Sequence, residues 1–140
     1  MVIALNTRTI LSIFRDMKEL KYRSIGWGDD EAVQLTEVLP LCTSATELDL
    51  AKNKISDRGA KALAAAFAEG AMPKLKELGL NSNQIGDEGA VALAEAVGKG
   101  ALPKLKTLNL FTLNNKLSQT AKDAWEAVKA KRSGLEVNGV

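Results

Sequence analysis

The sequence predicts an α/β solenoid, with short parallel strands lining the inside of an arc and helices outside. Three observations predict it. Glu47 to Lys76 and Glu77 to Lys106 are one thirty-residue unit written twice, with 18 of 30 positions identical. Such a period marks stacked units, each with an apolar face that it cannot bury alone. Within each unit the apolar rhythm changes from two, at Leu48 and Leu50, to three and four, at Ala60, Leu63, Ala66 and Phe67. A strand buried on one face therefore gives way to a helix buried on one face. Strands sit about 4.8 Å apart and helices with side chains need about 10 Å, so the strand side must be the inner side of the curve.

The two copies also separate frame from surface. Leu48, Leu50, Asn53, Ile55, Asp57, Gly59, Ala60 and Leu63 recur thirty residues on, whereas Asp49, Ala51, Lys52, Arg58 and Lys61 are exchanged for residues of other character. Asp57 and Asp87 stand where a helix N-cap is expected, their carboxylates accepting from free backbone amides. Gly70 and Gly100 suit the left-handed residue that ends a helix, with Pro73 and Pro103 just beyond.

The string LxLxxNxIxDxGAxALA, present from Leu48 to Ala64 and again from Leu78 to Ala94, resembles the ribonuclease-inhibitor type of leucine-rich repeat, also found in Ran GTPase-activating proteins and NOD-like receptors. The resemblance implies a short right-handed horseshoe with parallel strands inside and helices outside. It also implies that the amides of Asn53 and Asn83 satisfy backbone groups in the turns.

Outside the two clear copies the pattern wears. Residues 1–19 read as an N-terminal cap: Ile3 and Leu5 form a degenerate strand, Ile10, Ile13, Phe14 and Met17 form a helical stripe, and Thr7 or Thr9 caps the helix. Val2 to Leu5 is too short for a signal-peptide core, and Asp16 and Glu19 are unusual in a mitochondrial presequence. Residues 20–46 are a degenerate unit, in which Leu20 and Tyr22 replace the paired leucines, Trp27 takes a core position and Ile25 stands where the ladder asparagine belongs. Units 47–76 and 77–106 follow. Residues 107–140 are a degenerate last unit and cap, with Leu108 and Leu110 on a strand and a longer turn in which Asn115 or Asn114 takes the ladder role. A helix capped by Ser118 then buries Ala121, Ala124, Trp125 and Val128, and a final strand at Leu135 and Val137 has an open edge. The whole is one domain, 1–140.

Composition narrows the function. The chain has no histidine, one cysteine (Cys42) and a net charge of +2. An internal disulfide is excluded, and a zinc site or a histidine-dependent nucleophile finds no ligands. No base or elbow surrounds Cys42 or any serine, and the lone Gly26-x-Gly28 lacks the spacing of a phosphate loop. Helix caps account for Asp29, Asp30, Glu31, Asp57 and Asp87 better than a metal does. No enzyme activity, cofactor or metal is expected. No apolar run has the length to cross a bilayer, and a reducing, cytoplasmic compartment is expected. Lys74, Lys76, Lys104 and Lys106 form a column near the return loops, and Lys129, Lys131 and Arg132 a second basic end. With acids nearby and no interleaved aromatics, these read as a solvated rim rather than a nucleic-acid groove.

Alternation places Lys21 and Arg23, then Glu47, Asp49 and Ala51, then Glu77, Gly79 and Asn81, then Thr107, Asn109 and Phe111 on the concave face. Glu47 beside Glu77 makes an acidic column. Phe111, the one large apolar residue of the set, is either a hot-spot anchor or a residue tucked under the 112–116 turn. The expected function is a non-catalytic protein-interaction module or scaffold subunit of a larger assembly. Resemblance to the Ran GTPase-activating proteins implies another possibility, regulation of a small GTPase, although those proteins carry many more repeats. A piece of a longer repeat receptor is a third.

Overall fold

A computed structural model describes residues 7–110 and 117–140. The order is α1 (Thr7–Asp16), β1 (Glu19–Lys21), α2 (Asp29–Leu35), a 3-10 turn (Leu39–Leu41), β2 (Glu47–Asp49), α3 (Asp57–Ala68), β3 (Glu77–Gly79), α4 (Asp87–Gly98), β4 (Thr107–Asn109), α5 (Gln119–Lys131) and β5 (Glu136–Asn138). The strands form one parallel sheet in the order β1-β2-β3-β4-β5. Leu20, Leu48, Leu78, Leu108 and Val137 stand in one row across it, and all five are buried. This is the α/β repeat architecture that the duplicated unit predicts.

The core is a single layer between sheet and helices. Leu50, Ile55, Leu63, Phe67, Met72 and Leu75 of one unit, and Leu80, Ile85, Leu93, Val97, Leu102 and Leu105 of the next, are all buried. Each helix ends at a left-handed glycine, Gly70 with φ +100° and Gly100 with φ +106°. After β1, β2 and β3 the chain turns through a left-handed residue, Ser24, Lys52 and Ser82, with φ of 58°, 56° and 58°. The worn unit therefore makes the same turn as its neighbours.

That turn holds without an asparagine of its own because the next unit supplies one. Asn53 Oδ1 accepts from the amides of Ile25 and Trp27 at 3.1 and 3.0 Å, and its Nδ2 donates to the carbonyls of Tyr22 and Leu50 at 2.8 and 3.0 Å. Asn83 repeats the pattern, accepting from the Ile55 amide and donating to the Leu50 and Leu80 carbonyls, each at 3.0 Å. Ile25 itself is half exposed, and Trp27 lies partly buried with its ring stacked on Tyr22 at 4.6 Å.

Two expectations need correction. Asp57 and Asp87 are not the caps of their own helices: Ser56 and Gly86 are the N-cap residues, and the aspartates are the first helical residues. Each carboxylate instead reaches the next unit. Asp29 Oδ1 accepts from the amides of Ser56 and Gly59 at 2.7 and 3.0 Å, Asp57 Oδ1 from those of Gly86 and Gly89 at 2.8 and 2.9 Å, and Asp87 Oδ1 from that of Ser118 at 2.7 Å. The starts of α3 and α4 are thus capped by the repeat before them, and Asp87 holds the residue that precedes α5.

The second correction concerns α1. Phe14 and Met17 pack against the core, but Ile10 and Ile13 remain 36% and 46% exposed. The helix meets the body at its C-terminal part and beside the 39–41 turn, so only half of the predicted stripe is covered. Ile3, Leu5, Phe111, Asn114 and Asn115 lie outside the described residues, as does the Thr7 side chain.

Candidate functional site

Parallel pairing with no offset turns the outward residues of each strand into straight columns. Glu19, Glu47, Glu77, Thr107 and Glu136 form the first, and Lys21, Asp49, Gly79, Asn109 and Asn138 the second. The acidic column is longer than the pair Glu47 and Glu77 suggests. Glu19 and Glu136 were legible one residue before Leu20 and Val137, where the same alternation puts an outward residue. Ala51, expected outward, is buried, because the chain turns inward after Leu50.

The basic end at Lys21 and Arg23 is engaged within the face. Arg23 Nε donates to Asp49 Oδ2 at 2.9 Å, and Lys21 Nζ lies 3.2 Å from Glu19 Oε2. The hydrogen bond and charge of Glu19, with the charges of Glu47 and Asp49 behind it, raise the Lys21 ammonium above its ordinary value. Asp49 Oδ1 also accepts from the Ala51 amide at 3.0 Å, and it occupies the space beside Gly79, where a Cβ would come within 3.0 Å of it. The exchange of Asp49 for Gly79 between the copies is therefore complementary: the glycine leaves room for the neighbour's carboxylate.

Between these columns lies a shallow hollow of about 150 Å³, bounded by Arg23, Glu47, Asp49, Glu77, Asn81 and Asn109. Asn138 Nδ2 donates to Asn109 Oδ1 at 2.7 Å and ties the last strand into the same surface. Glu47 and Glu77 make no ion pair with a described residue. The face thus offers free carboxylates and amide groups on rigid strands.

No described group on this face pairs a nucleophile with a base. Cys42 is buried under the 39–41 turn with its thiol near the Val38 carbonyl, and burial pushes that thiol up, away from the reactive thiolate. Among the described residues no helix is long and apolar enough to cross a membrane.

Sheet, turns and repeat signature define a leucine-rich-repeat solenoid. A leucine-rich-repeat family model matches residues 42–64 and 71–94, so the chain carries at least two consecutive repeats of that family. Among solved structures, one titled "Leiomodin-1 Actin-Binding Site 2" shares the fold at a TM-score of 0.80 and 18% identity, over 95% of this chain and 76% of that one. The tropomodulin C-terminal domain of Caenorhabditis elegans does so at 0.77 and 16% identity, over 97% of this chain and 83% of that one. At these identities the likeness is one of fold. No curated protein matches the sequence.

Proposed function

We propose that the chain is a non-catalytic protein-interaction module that docks another protein on its concave sheet face. The observation that carries this reading is the row of outward side chains on five parallel strands, with Glu47 and Glu77 free of ion pairs beside a polar hollow. A rigid sheet loses little entropy on binding, so polar contacts made by strand residues go further than the same contacts on a mobile loop. Within the face, Glu47 and Glu77 recognise cationic or amide groups. Lys21, Arg23 and Asp49 set the charge of the N-terminal end, and Asn81 and Asn109 donate and accept. Phe111, which lies outside the described residues, is proposed as the apolar anchor from its place in the sequence alone. The likeness of fold to a leiomodin chain titled for actin binding makes actin the first partner to assay, and a multi-subunit assembly the setting.

The test is capture from native extract with wild-type protein and with a Glu47→Arg, Glu77→Arg double variant, read by mass spectrometry, alongside pelleting with purified actin. Proteins retained by the wild type and lost by the variant identify the partner. An identical set from both would remove the concave face from the interaction.

A further inference from the structure

The loops that return from helix to strand carry a charge pattern that the concave face does not explain. Residues 69–76 and 99–106 contain five lysines and one acid, Glu69. Lys74, Lys76, Lys99, Lys104 and Lys106 are all exposed, and none makes an ion pair with a described residue. By contrast, on the helical side Arg58 meets Asp30 and Lys61 meets Glu88, each at 2.6 Å. The rim lysines are also held in file. The Lys76 amide donates to the Thr46 carbonyl and the Lys106 amide to the Lys76 carbonyl, each at 2.9 Å, so Lys76 and Lys106 occupy adjacent sheet rows about 4.8 Å apart. Ammonium groups carried on adjacent rows repel one another, and an anion lying across them relieves that repulsion.

Beside this file is a groove of about 310 Å³ between the two return loops, lined by Ala68, Ala71, Pro73, Leu102 and Pro103 and by the cation Lys99. Gly70 and Gly100 form its open part, where an added Cβ would meet nothing within 4 Å. A slot with apolar side chains and Lys99 in its lining, next to further unpaired ammonium groups, suits a mixed acidic and apolar segment better than a nucleic acid or a lipid headgroup. No aromatic ring stands exposed among residues 69–76 and 99–106 for a base to stack on. The nearby arginine, Arg132, is committed to the carbonyls of Val97 and Ala101 and to that of Leu102, so the forked guanidinium suited to phosphate is not on offer.

We propose that the return-loop rim is a second docking surface, separate from the concave face, for an acidic polypeptide segment carrying an apolar anchor residue. Its carboxylates lie along Lys74, Lys76, Lys104 and Lys106 while the anchor enters the slot between Pro73 and Pro103.

Fluorescence anisotropy of a labelled peptide of about twelve residues, aspartates and glutamates around a central pair of leucines, tests this at about 50 mM salt. Against the full chain, the Lys74→Gln, Lys76→Gln, Lys104→Gln, Lys106→Gln variant is expected to bind at least about tenfold more weakly. A peptide with both leucines replaced by serine should bind wild type about fivefold more weakly. Lys52→Gln, Lys54→Gln on the opposite rim, and Glu47→Gln, Glu77→Gln on the concave face, should leave binding of the acidic peptide undiminished. Circular dichroism on each variant confirms that the fold is kept. Equal affinity of wild type and the rim variant overturns the proposal. So does tighter binding of an equally long DNA duplex, or of phosphatidylserine vesicles, than of the peptide.

Discussion

Asn83 joins two units with one amide. It is 1% exposed, and its replacement by alanine leaves the Ile55 amide and the Leu80 carbonyl without their side-chain partner, while the Leu50 carbonyl keeps only Asn53. Because a buried polar group without a partner costs about 1–3 kcal/mol, Asn83→Ala is expected to lower the unfolding free energy by about 3 kcal/mol or more in urea titration. A loss below about 1 kcal/mol would mean that water replaces the amide. Gly89 is constrained in another way. A Cβ there would sit 2.8 Å from Ala60 Cβ and 2.8 Å from Asp57 Oδ1, so Gly89→Ala must push away either the helix or the carboxylate that caps it. The expected cost is about 3 kcal/mol. Gly70→Ala, which meets open space at φ +100°, should cost only about 1 kcal/mol of backbone strain. Equal midpoints for the two variants in the same titration would show that Gly89 is not there for space. The ladder role of Asn83 follows from the family resemblance of the sequence. The role of Gly89 did not, since a glycine at the start of a helix reads as ordinary flexibility until the neighbouring repeat is set against it.

At the scale of the element, the recurring Asp-x-Gly-Ala acts between units. Its aspartate caps the following helix, its glycine admits the preceding aspartate, and its alanine lets the helices approach. Sequence spacing placed an acid at each helix start correctly, but distance along the chain favours a local cap. A contact made some thirty residues away becomes visible only when the units are stacked. The arrangement has a pH signature. Burial disfavours the charged form of Asp29, but hydrogen bonds from the Ser56 hydroxyl, Ser56 amide and Gly59 amide, with the charge of Arg58, outweigh it and hold the carboxyl below its ordinary range. Hydrogen bonds from Ser118 do the same for Asp87. A carboxyl that is more acidic folded than unfolded stabilises the fold above its unfolded value, near about 3.9, and that contribution is lost as pH falls through the folded value. Stability should therefore drop below about pH 4, and Asp29→Asn should flatten part of that drop. Parallel stability curves for wild type and variant between about pH 5 and pH 2 would remove Asp29 as a contributor.

For the whole molecule, the consequence of stacking is that neither end resembles the other. Among the described residues the exposed large apolar ones, Ile10, Leu11, Ile13, Ile25 and Val33, all fall in the first 33 residues, whereas α5 closes the far end with Trp125 fully buried. Arg132 adds to that closure by donating to carbonyls of the loop that follows α4. Each unit packs on its sequence neighbours, so a defect should be felt mainly nearby, as in a one-dimensional array. Trp125→Ala tests this. The cavity is expected to cost about 3–5 kcal/mol, and it opens in the core beneath α5, the helix that packs against α4. Hydrogen exchange should then show amides of α5 and β5 losing most of their protection, those of α4 losing part, and those of β2 and α3 losing little. Uniform loss across all five strands would show that the solenoid unfolds as a single unit. The concave face and the return-loop rim would then stand or fall together with the terminal helix, instead of each being supported by the repeats around it.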